Sequence, residues 1–207
     1  NLWLAYNDTS AAGILSSTLD FAAMNPTFDA YLRGSMILGE KTPGAAGDTD
    51  ATLTLGSNST LDIQSTTGDV VIGLNITNSD MVSGEFNALE SAATVNLDVD
   101  DVIVGYARGT GMAQGTLRWN QTEAIHANDV YFGWGSNAVS VLDVPTGGTF
   151  RLGTDVDRVG NLWLAYNDTS AAGILSSTLD FAAMNPTFDA YLRGSMILGE
   201  KTPGAAG

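Results

Sequence analysis

Residues 1–47 read NLWLAYNDTS AAGILSSTLD FAAMNPTFDA YLRGSMILGE KTPGAAG, and the same 47 residues return without a change at 161–207. Most surface substitutions change stability by about 0.5 kcal/mol or less, so folding alone would not keep two copies identical. The identity predicts a tandem array with a period of 160 residues. We therefore divide the chain into one full repeat, 1–160, and the start of the next, 161–207, within one continuous solenoid.

A shorter motif recurs inside the repeat, made of a small polar residue, three apolar residues and then glycine or alanine. Its copies are NLWLA at 1–5, SMILG at 35–39, DVVIG at 69–73, DVIVG at 101–105 and DVYFG at 129–133, and NLWLA returns at 161–165. Turn-forming residues precede each copy. The spacing predicts five coils per repeat, at 1–34, 35–68, 69–100, 101–128 and 129–160.

Two further apolar segments follow the motif in each coil, and most alternate apolar with polar residues as half-buried strands do. The second segment is TLDF at 18–21, TLTL at 52–55, EFNA at 85–88, TLRW at 116–119 and, displaced, VSV at 139–141; the third is TFDA at 27–30, TLDI at 60–63, TVNL at 94–97, AIHA at 124–127 and TFRL at 149–152. About three strands per coil of some thirty residues are typical of a solenoid. The predicted fold is all-β, a right-handed parallel β-helix.

The first coil also permits a different interpretation, because its apolar residues between 11 and 23 could form one face of a helix. The equivalent segment of the second coil, TPGAAGD at 42–48, contains too much proline and glycine for a helix. Since structural repeats share their elements, we favour a loop and a strand here. A short helical turn at 10–15 is the alternative.

The motif strand is apolar on both faces. We expect Leu4, Leu38, Ile72, Val104 and Phe132 to point inward as one column. A strand that is apolar on both sides is usually covered on both. The outer cover is expected to be the coil's own long loop, with a neighbouring solenoid as the alternative. The small residue that ends each motif would let another backbone come close.

Composition narrows the classes of partner. The chain has 23 acidic and 8 basic residues, a net charge of −15, and no cysteine. A charge of this sign disfavours nucleic acid and anionic membranes. The absence of cysteine excludes disulfides and thiolate metal sites. No apolar run approaches the ~20 residues of a membrane helix, so no insertion of this segment into a membrane is expected.

No catalytic residues are predicted. The single histidine, His126, lies in a third-strand segment whose counterparts are Asp29, Asp62, Asn96 and Arg151, all polar, so we interpret it as a surface residue. No GxSxG motif is present. Carboxylate pairs of the glycosidase type are defined by geometry and stay open at the level of sequence.

Calcium is the only cofactor that the sequence suggests. Acidic residues at the motif corners, Asp69, Asp101 and Asp129, should stack in consecutive coils, and Asp98 and Asp100 lie beside them. Hard oxygen ligands of this kind suit Ca²⁺. Neither the EF-hand spacing nor the calcium β-roll nonapeptide is present, so solvated turn carboxylates are the simpler interpretation.

Asn-x-Ser/Thr sequons mark candidate glycosylation sites. They occur at Asn7, Asn58, Asn75, Asn120 and Asn167.

The recurring apolar strands, glycine corners and Thr, Asn and Asp decoration, as in ATLTLG at 51–56 and STLDI at 59–63, resemble the repeat regions of large secreted β-solenoid proteins. Filamentous-haemagglutinin-like adhesins and autotransporter passenger domains are such proteins. The resemblance implies a secreted or surface-displayed fibre, and hence an extracellular or cell-surface location.

Three functions are carried forward. The first is a structural link of a long β-solenoid fibre without catalytic activity, whose partners are further copies of itself, in tandem or end to end, or bundled side by side. Neither end carries a polar cap, so we expect both to meet further coils. The second is an adhesin stalk or glycan-binding surface that uses Tyr6, Tyr106 and Trp134. The third is a polysaccharide-processing β-helix enzyme.

Overall fold

The computed structural model describes residues 1–23, 25–77, 79–170, 172–181 and 185–202. It is an all-β solenoid of about six turns with essentially no helix. Its strands are β1 (Leu2–Asn7), β2 (Leu15–Asp20), β3 (Phe28–Leu32), β4 (Met36–Lys41), β5 (Thr49–Thr54), β6 (Ser59–Ser65), β7 (Val70–Asn75), β8 (Met81–Ala88), β9 (Thr94–Ala107), β10 (Met112–Trp119), β11 (Ile125–Gly135), β12 (Ala138–Asp143), β13 (Thr149–Leu152), β14 (Asn161–Asn167), β15 (Ser176–Thr178), β16 (Thr187–Ala190) and β17 (Met196–Lys201).

The strands stack in three parallel columns. The first contains β1, β4, β7, the ends of β9 and β11, then β14 and β17; the second contains β2, β5, β8, β10, β12 and β15; the third contains β3, β6, the starts of β9 and β11, then β13 and β16. β9 and β11 belong to two columns because the corner before the motif is so short that one strand runs through it. The predicted parallel β-helix with three strands per coil is confirmed; its right-handedness stays a prediction.

The register of the first column is the predicted one. Leu4 pairs with Leu38, Leu38 with Ile72, Ile72 with Val104, and Val104 with Phe132. All five side chains are buried in the main hydrophobic core. We call this set the inner column. Side chains of the other two columns, such as Phe86 and Phe150, close the same core from the opposite walls.

The third column departs from the expected alignment. Phe28 pairs with Ser59 and not with Leu61, and Ile125 pairs with Leu97 below it and Leu152 above it. Each difference is a slip of two residues. A slip of two leaves every side chain on its original face, so alternation alone could not detect it. His126 consequently pairs with Asp98 rather than with Asn96.

Two smaller expectations have clear outcomes. In the fifth coil the true counterpart of Leu117 is Leu142, within β12, so the displaced segment at 139–141 lies inside the strand and stops one residue short of that counterpart. In the first coil residues 10–14 contain no helical turn and β2 follows at Leu15, as favoured.

No helix among the described residues is long and apolar enough to cross a membrane.

Candidate functional site

The outer face of the first column is the most distinctive surface of the chain. The residue after the inner column adopts a left-handed backbone, with φ of 77° at Gly73 and 54° at Ala5. This reversal of the alternation puts the side chains two positions before and one position after the left-handed residue on the same outer face. Val71 and Leu74 accordingly belong to one outer hydrophobic cluster, separate from the main core.

We call this surface the outer stripe. It consists of two adjacent rows that follow the solenoid axis. The rows are Trp3, Ile37, Val71, Ile103, Tyr131 and Trp163, and Tyr6, Glu40, Leu74, Tyr106, Trp134 and Tyr166.

Aromatic rings in the stripe contact one another both between consecutive coils and within a coil. Between consecutive coils, the stacked rings of Tyr106 and Trp134 have centroids 4.5 Å apart and those of Tyr131 and Trp163 5.8 Å apart. Within a coil, the centroids of Tyr131 and Trp134 are 4.5 Å apart and those of Trp163 and Tyr166 4.6 Å apart. Such pairs stabilise a fold by about 0.5–1.5 kcal/mol beyond the area they bury. The aromatic part of the stripe therefore ties consecutive coils together.

Carboxylates along the stripe accept hydrogen bonds from the ring N–H groups. The indole of Trp3 donates to Glu40 at 3.0 Å, and that of Trp134 donates to Asp168 at 2.9 Å. The Tyr131 hydroxyl donates to Asp129 at 3.2 Å. Burial raises the pKa of Glu40, and the bond from Trp3 opposes this rise. Burial, together with the charge of Asp129, raises the pKa of Tyr131.

The residues that cover the outer face of the first column are not the ones expected. Among the described residues, the hydrophobic side chains of the outer cluster come from the first-column strands themselves and none from the long loops. Trp3 and Tyr6 are 47% and 48% exposed. The left-handed residue explains the difference, because it supplies a second outward row that the alternation of an ordinary strand would have turned inward.

The small-residue column does admit another backbone, as predicted. A side-chain carbon added at Gly73 would lie 2.3 Å from the carbonyl oxygen of Gln114 in β10, and one added at Gly105 would lie 2.6 Å from that of Val139 in β12. The second column of strands thus approaches the first from inside the solenoid.

The acidic corner residues form a continuous ladder with their counterparts. The backbone N–H of Asp101 donates to Asp69, that of Asp129 to Asp101, and that of Asn161 to Asp129, at 3.3, 3.1 and 2.7 Å. Ser35 donates to Asn1 in the same way at 2.8 Å. We call the series Asn1, Ser35, Asp69, Asp101, Asp129 and Asn161 the corner ladder. Each side chain holds the start of the next coil in register.

Burial, together with neighbouring negative charges, raises the pKa of two carboxyl groups of the ladder. Burial, followed by the charges of Asp69, Asp100 and Asp129, raises the pKa of Asp101 to about 7. Burial also raises the pKa of Asp69.

The calcium candidates are not brought together as a cation cage. Asp69, Asp101 and Asp129 direct oxygens at backbone N–H groups, while Asp98 is exposed and Asp100 half-buried beside the ladder. Among the described residues no group of three or more His, Asp or Glu side chains is placed to hold a metal ion. Calcium binding stays a prediction, and the described carboxylates do not converge on one point that could hold the ion.

Three of the five sequons mark a structural corner. Asn7, Asn75 and Asn167 are buried, and each accepts the backbone N–H of the threonine two residues on. The amide nitrogen of Asn75 also donates to the carbonyl oxygens of Asp80 and Met112. A glycan on such a nitrogen would displace these bonds.

The other two sequons are more accessible. Asn58 is exposed and Asn120 half-buried. These two are the positions at which glycosylation remains a prediction compatible with the fold.

Lys41, the only lysine of the full repeat, is completely buried. Its amino group donates to Asp80 at 2.6 Å and to the carbonyl oxygen of Ser79 at 3.2 Å. The bond from Lys41, followed by one from the Ser79 hydroxyl, lowers the pKa of Asp80. The pair fastens the loop of the third coil to the second coil, and the sequence offered no signal of it.

His126 lies half-buried on the side of the third column. Its Nδ1 is 2.9 Å from a carboxylate oxygen of Asp157 but forms no hydrogen bond with it. The expected surface position is largely correct, since 23% of the side chain is exposed.

Comparison of the chain with protein-family models, with curated proteins and with solved structures finds no match. Tyr6, Tyr106 and Trp134, selected from the sequence as binding residues, lie in one row of the outer stripe. The sequence reasoning missed Tyr131, because period-two alternation gave no reason to place it beside Trp134 on the same face.

Proposed function

We propose that the chain is a structural link of a long extracellular β-solenoid fibre built from tandem repeats, with no catalytic role. The observation that carries the proposal is the continuity of the stack across the repeat boundary. Leu162 pairs with Val130 in the same register that joins earlier coils, and it then pairs with Met196 as Leu2 pairs with Met36. Five coils bring the chain back to an identical sequence in the same column, so repeats can add along one axis without a break.

Identical residues in different coils support this role. Leu38 is fully buried in a complete coil with a coil on each side, whereas Leu198, its copy in the first strand of the seventh coil, is 67% exposed. Burial of the inner column therefore depends on complete coils stacked on one another. A stack that gains this burial with every added coil favours extension, as in other solenoids.

The resemblance to haemagglutinin-like and autotransporter-like repeat regions fits this proposal and is the basis for its extracellular location. A second candidate function is an adhesin stalk or glycan-binding surface. The observation that favours it is that Tyr6, Tyr106 and Trp134 share one outward row. The rings of Tyr106 and Trp134 stack on each other, which covers one face of each, so the fibre is the better-supported role.

The fibre proposal is tested by length. Chains with one, two and three copies of residues 1–160 would be imaged by electron microscopy and measured by small-angle scattering. With strands ~4.8 Å apart, five coils should add about 24 Å per repeat at constant cross-section. Increments near 50 Å, or compact particles that widen instead of lengthening, would contradict the proposal.

A further inference from the structure

A pocket of about 290 Å³ opens where the two repeats meet. Its walls combine Asp98, Asp100, His126, Asp157 and Arg158 of the first repeat with Arg193 of the second. We call it the junction pocket. Because Arg193 belongs to the following repeat, the pocket is complete only where one repeat is stacked on another.

The two guanidinium groups of the pocket are held by neutral acceptors. Arg193 donates to the side-chain oxygen of Asn128 at 2.5 Å, and Nε of Arg158 donates to the carbonyl oxygen of Asp155 at 3.2 Å. In contrast, Arg118 and Arg151 form ion pairs with carboxylates. Within the described part of the chain, neither pocket arginine has a carboxylate within 4.0 Å. These hydrogen bonds hold the two guanidinium groups in place, and no carboxylate among the described residues neutralises their charge.

Hydrogen-bond acceptors occupy the same pocket. Asp157 lies against the His126 ring at 2.9 Å, which positions that carboxylate at the wall. Asp98 is exposed and Asp100 half-buried, and among the described residues neither forms an ion pair. Charged donors and charged acceptors therefore line one small cavity without cancelling each other by direct contact.

Charge and size indicate the chemistry of the ligand. An anion would meet three carboxylates on a chain of net charge −15, and a cation would meet two guanidinium groups. A hydroxyl group both donates and accepts, so a neutral polyol can use both sets at once. The volume lies at the small end of ligand pockets, which suits a single ring. We propose that the junction pocket binds one neutral sugar unit of a saccharide.

Repetition would multiply this binding, a step that rests on the proposed fibre. A tandem array has one junction pocket per repeat, spaced by about 24 Å. A polysaccharide that reaches several pockets would bind with an avidity far above the affinity of one pocket.

The test uses the 207-residue chain, which contains one junction. Binding is first screened on an array of neutral oligosaccharides, with oligogalacturonates as anionic probes and spermine as a cationic probe. The best ligand is then titrated into the protein, and NMR shifts give the position and the affinity of binding. We expect millimolar affinity for a neutral saccharide, with shifts at His126, Asp157 and Arg193. Arg193→Gln should weaken binding tenfold or more. Arg33→Gln, the same change in the same local sequence outside the pocket, should leave the affinity unchanged.

Three results would overturn the proposal: no neutral saccharide binds the wild-type chain, the charged probes bind better, or Arg33→Gln is as harmful as Arg193→Gln. Shifts confined to the outer stripe would likewise assign the binding elsewhere. The measurement needs no fibre, so its failure leaves the length measurement of tandem repeats unaffected, and failure of that measurement leaves this one intact.

Discussion

Asp101 lies in the middle of the corner ladder, between the carboxylates of Asp69 and Asp129, and its pKa is raised from 3.8 to about 7. The folded state therefore binds a proton more tightly than the unfolded chain does between about pH 4 and pH 7. Stability contributed by this group is complete below pH 4 and is lost as the pH rises to about 7. We expect the free energy of unfolding to decline over this window, by about 1 kcal/mol after allowance for solvent screening at a half-exposed group.

The variant Asp101→Asn tests the assignment. An asparagine oxygen can still accept the N–H of Asp129, as the asparagines at positions 1 and 161 accept their own partners. The variant should be more stable than the wild type at pH 8 and should lack most of the decline between pH 4 and 7, measured by urea unfolding. Glu123→Gln removes one charge at an exposed position and is the control. Equal pH profiles for the wild type and Asp101→Asn would contradict the assignment.

Gly73 combines a left-handed backbone with a close neighbour, and the chain offers a control that separates the two. Its φ is 77°, and an added side-chain carbon would lie 2.3 Å from the backbone of Gln114. Gly147 has a φ of 75° and no atom within 4 Å of such a carbon. We expect Gly147→Ala to cost about 1–2 kcal/mol, the conformational part alone, and Gly73→Ala about 3 kcal/mol or more. Similar midpoints of chemical denaturation for the two variants would show that the close contact with Gln114 does not add to the loss of stability.

Single residues show where sequence reasoning reached its limit. The stacking of Asp69, Asp101 and Asp129 followed from the repeat. That their side chains accept hydrogen bonds from backbone N–H groups depends on the geometry of the corner and could not be read from the sequence. The sequons at Asn7 and Asn75 match the glycosylation pattern. Both asparagines are buried, however, and each accepts a hydrogen bond from the backbone two residues on, so here the same pattern forms a turn.

At the scale of the strand, period two and motif spacing predicted the first column residue by residue. The third column was displaced by two residues, as at Ile125, because the corner between second and third strands varies in length and alternation is blind to an even slip. The outer stripe depends on the left-handed residue that follows the inner column. A glycine such as Gly73 points to this backbone conformation only once the path of the coil is known.

The two faces of the first column should respond differently to charge. Ile72 is fully buried in the inner column, whereas Ile37 is half-buried at the rim of the outer stripe. Ile72→Asp should cost several kcal/mol or prevent folding, because an unpaired charge would lie in the core. Ile37→Asp should cost about 1 kcal/mol, since its carboxylate can reach water. Thermal unfolding followed by circular dichroism would compare them, and equal losses would mean that the faces are assigned incorrectly.

At the scale of the molecule, the identity of residues 1–47 and 161–207 predicted a rod, because identical coils must stack identically. The junction pocket could not be predicted in the same way. It joins residues from positions 98, 126, 157 and 193, and their meeting depends on the path of the corner at 154–160.

The stacking itself is testable with two copies of one leucine. Leu38 and Leu198 have the same neighbours in sequence, but Leu38 is fully buried and Leu198 is 67% exposed. Leu38→Ala should therefore cost about 2–5 kcal/mol, as for a buried leucine, and Leu198→Ala less than about 0.5 kcal/mol. When residues 48–160 are appended after Gly207, further coils should cover Leu198, and Leu198→Ala should then cost as much as Leu38→Ala. Urea unfolding of both variants in both chains provides the comparison. If Leu198→Ala stayed harmless in the longer chain, the second repeat would not continue the stack of the first, and the coaxial fibre would be excluded.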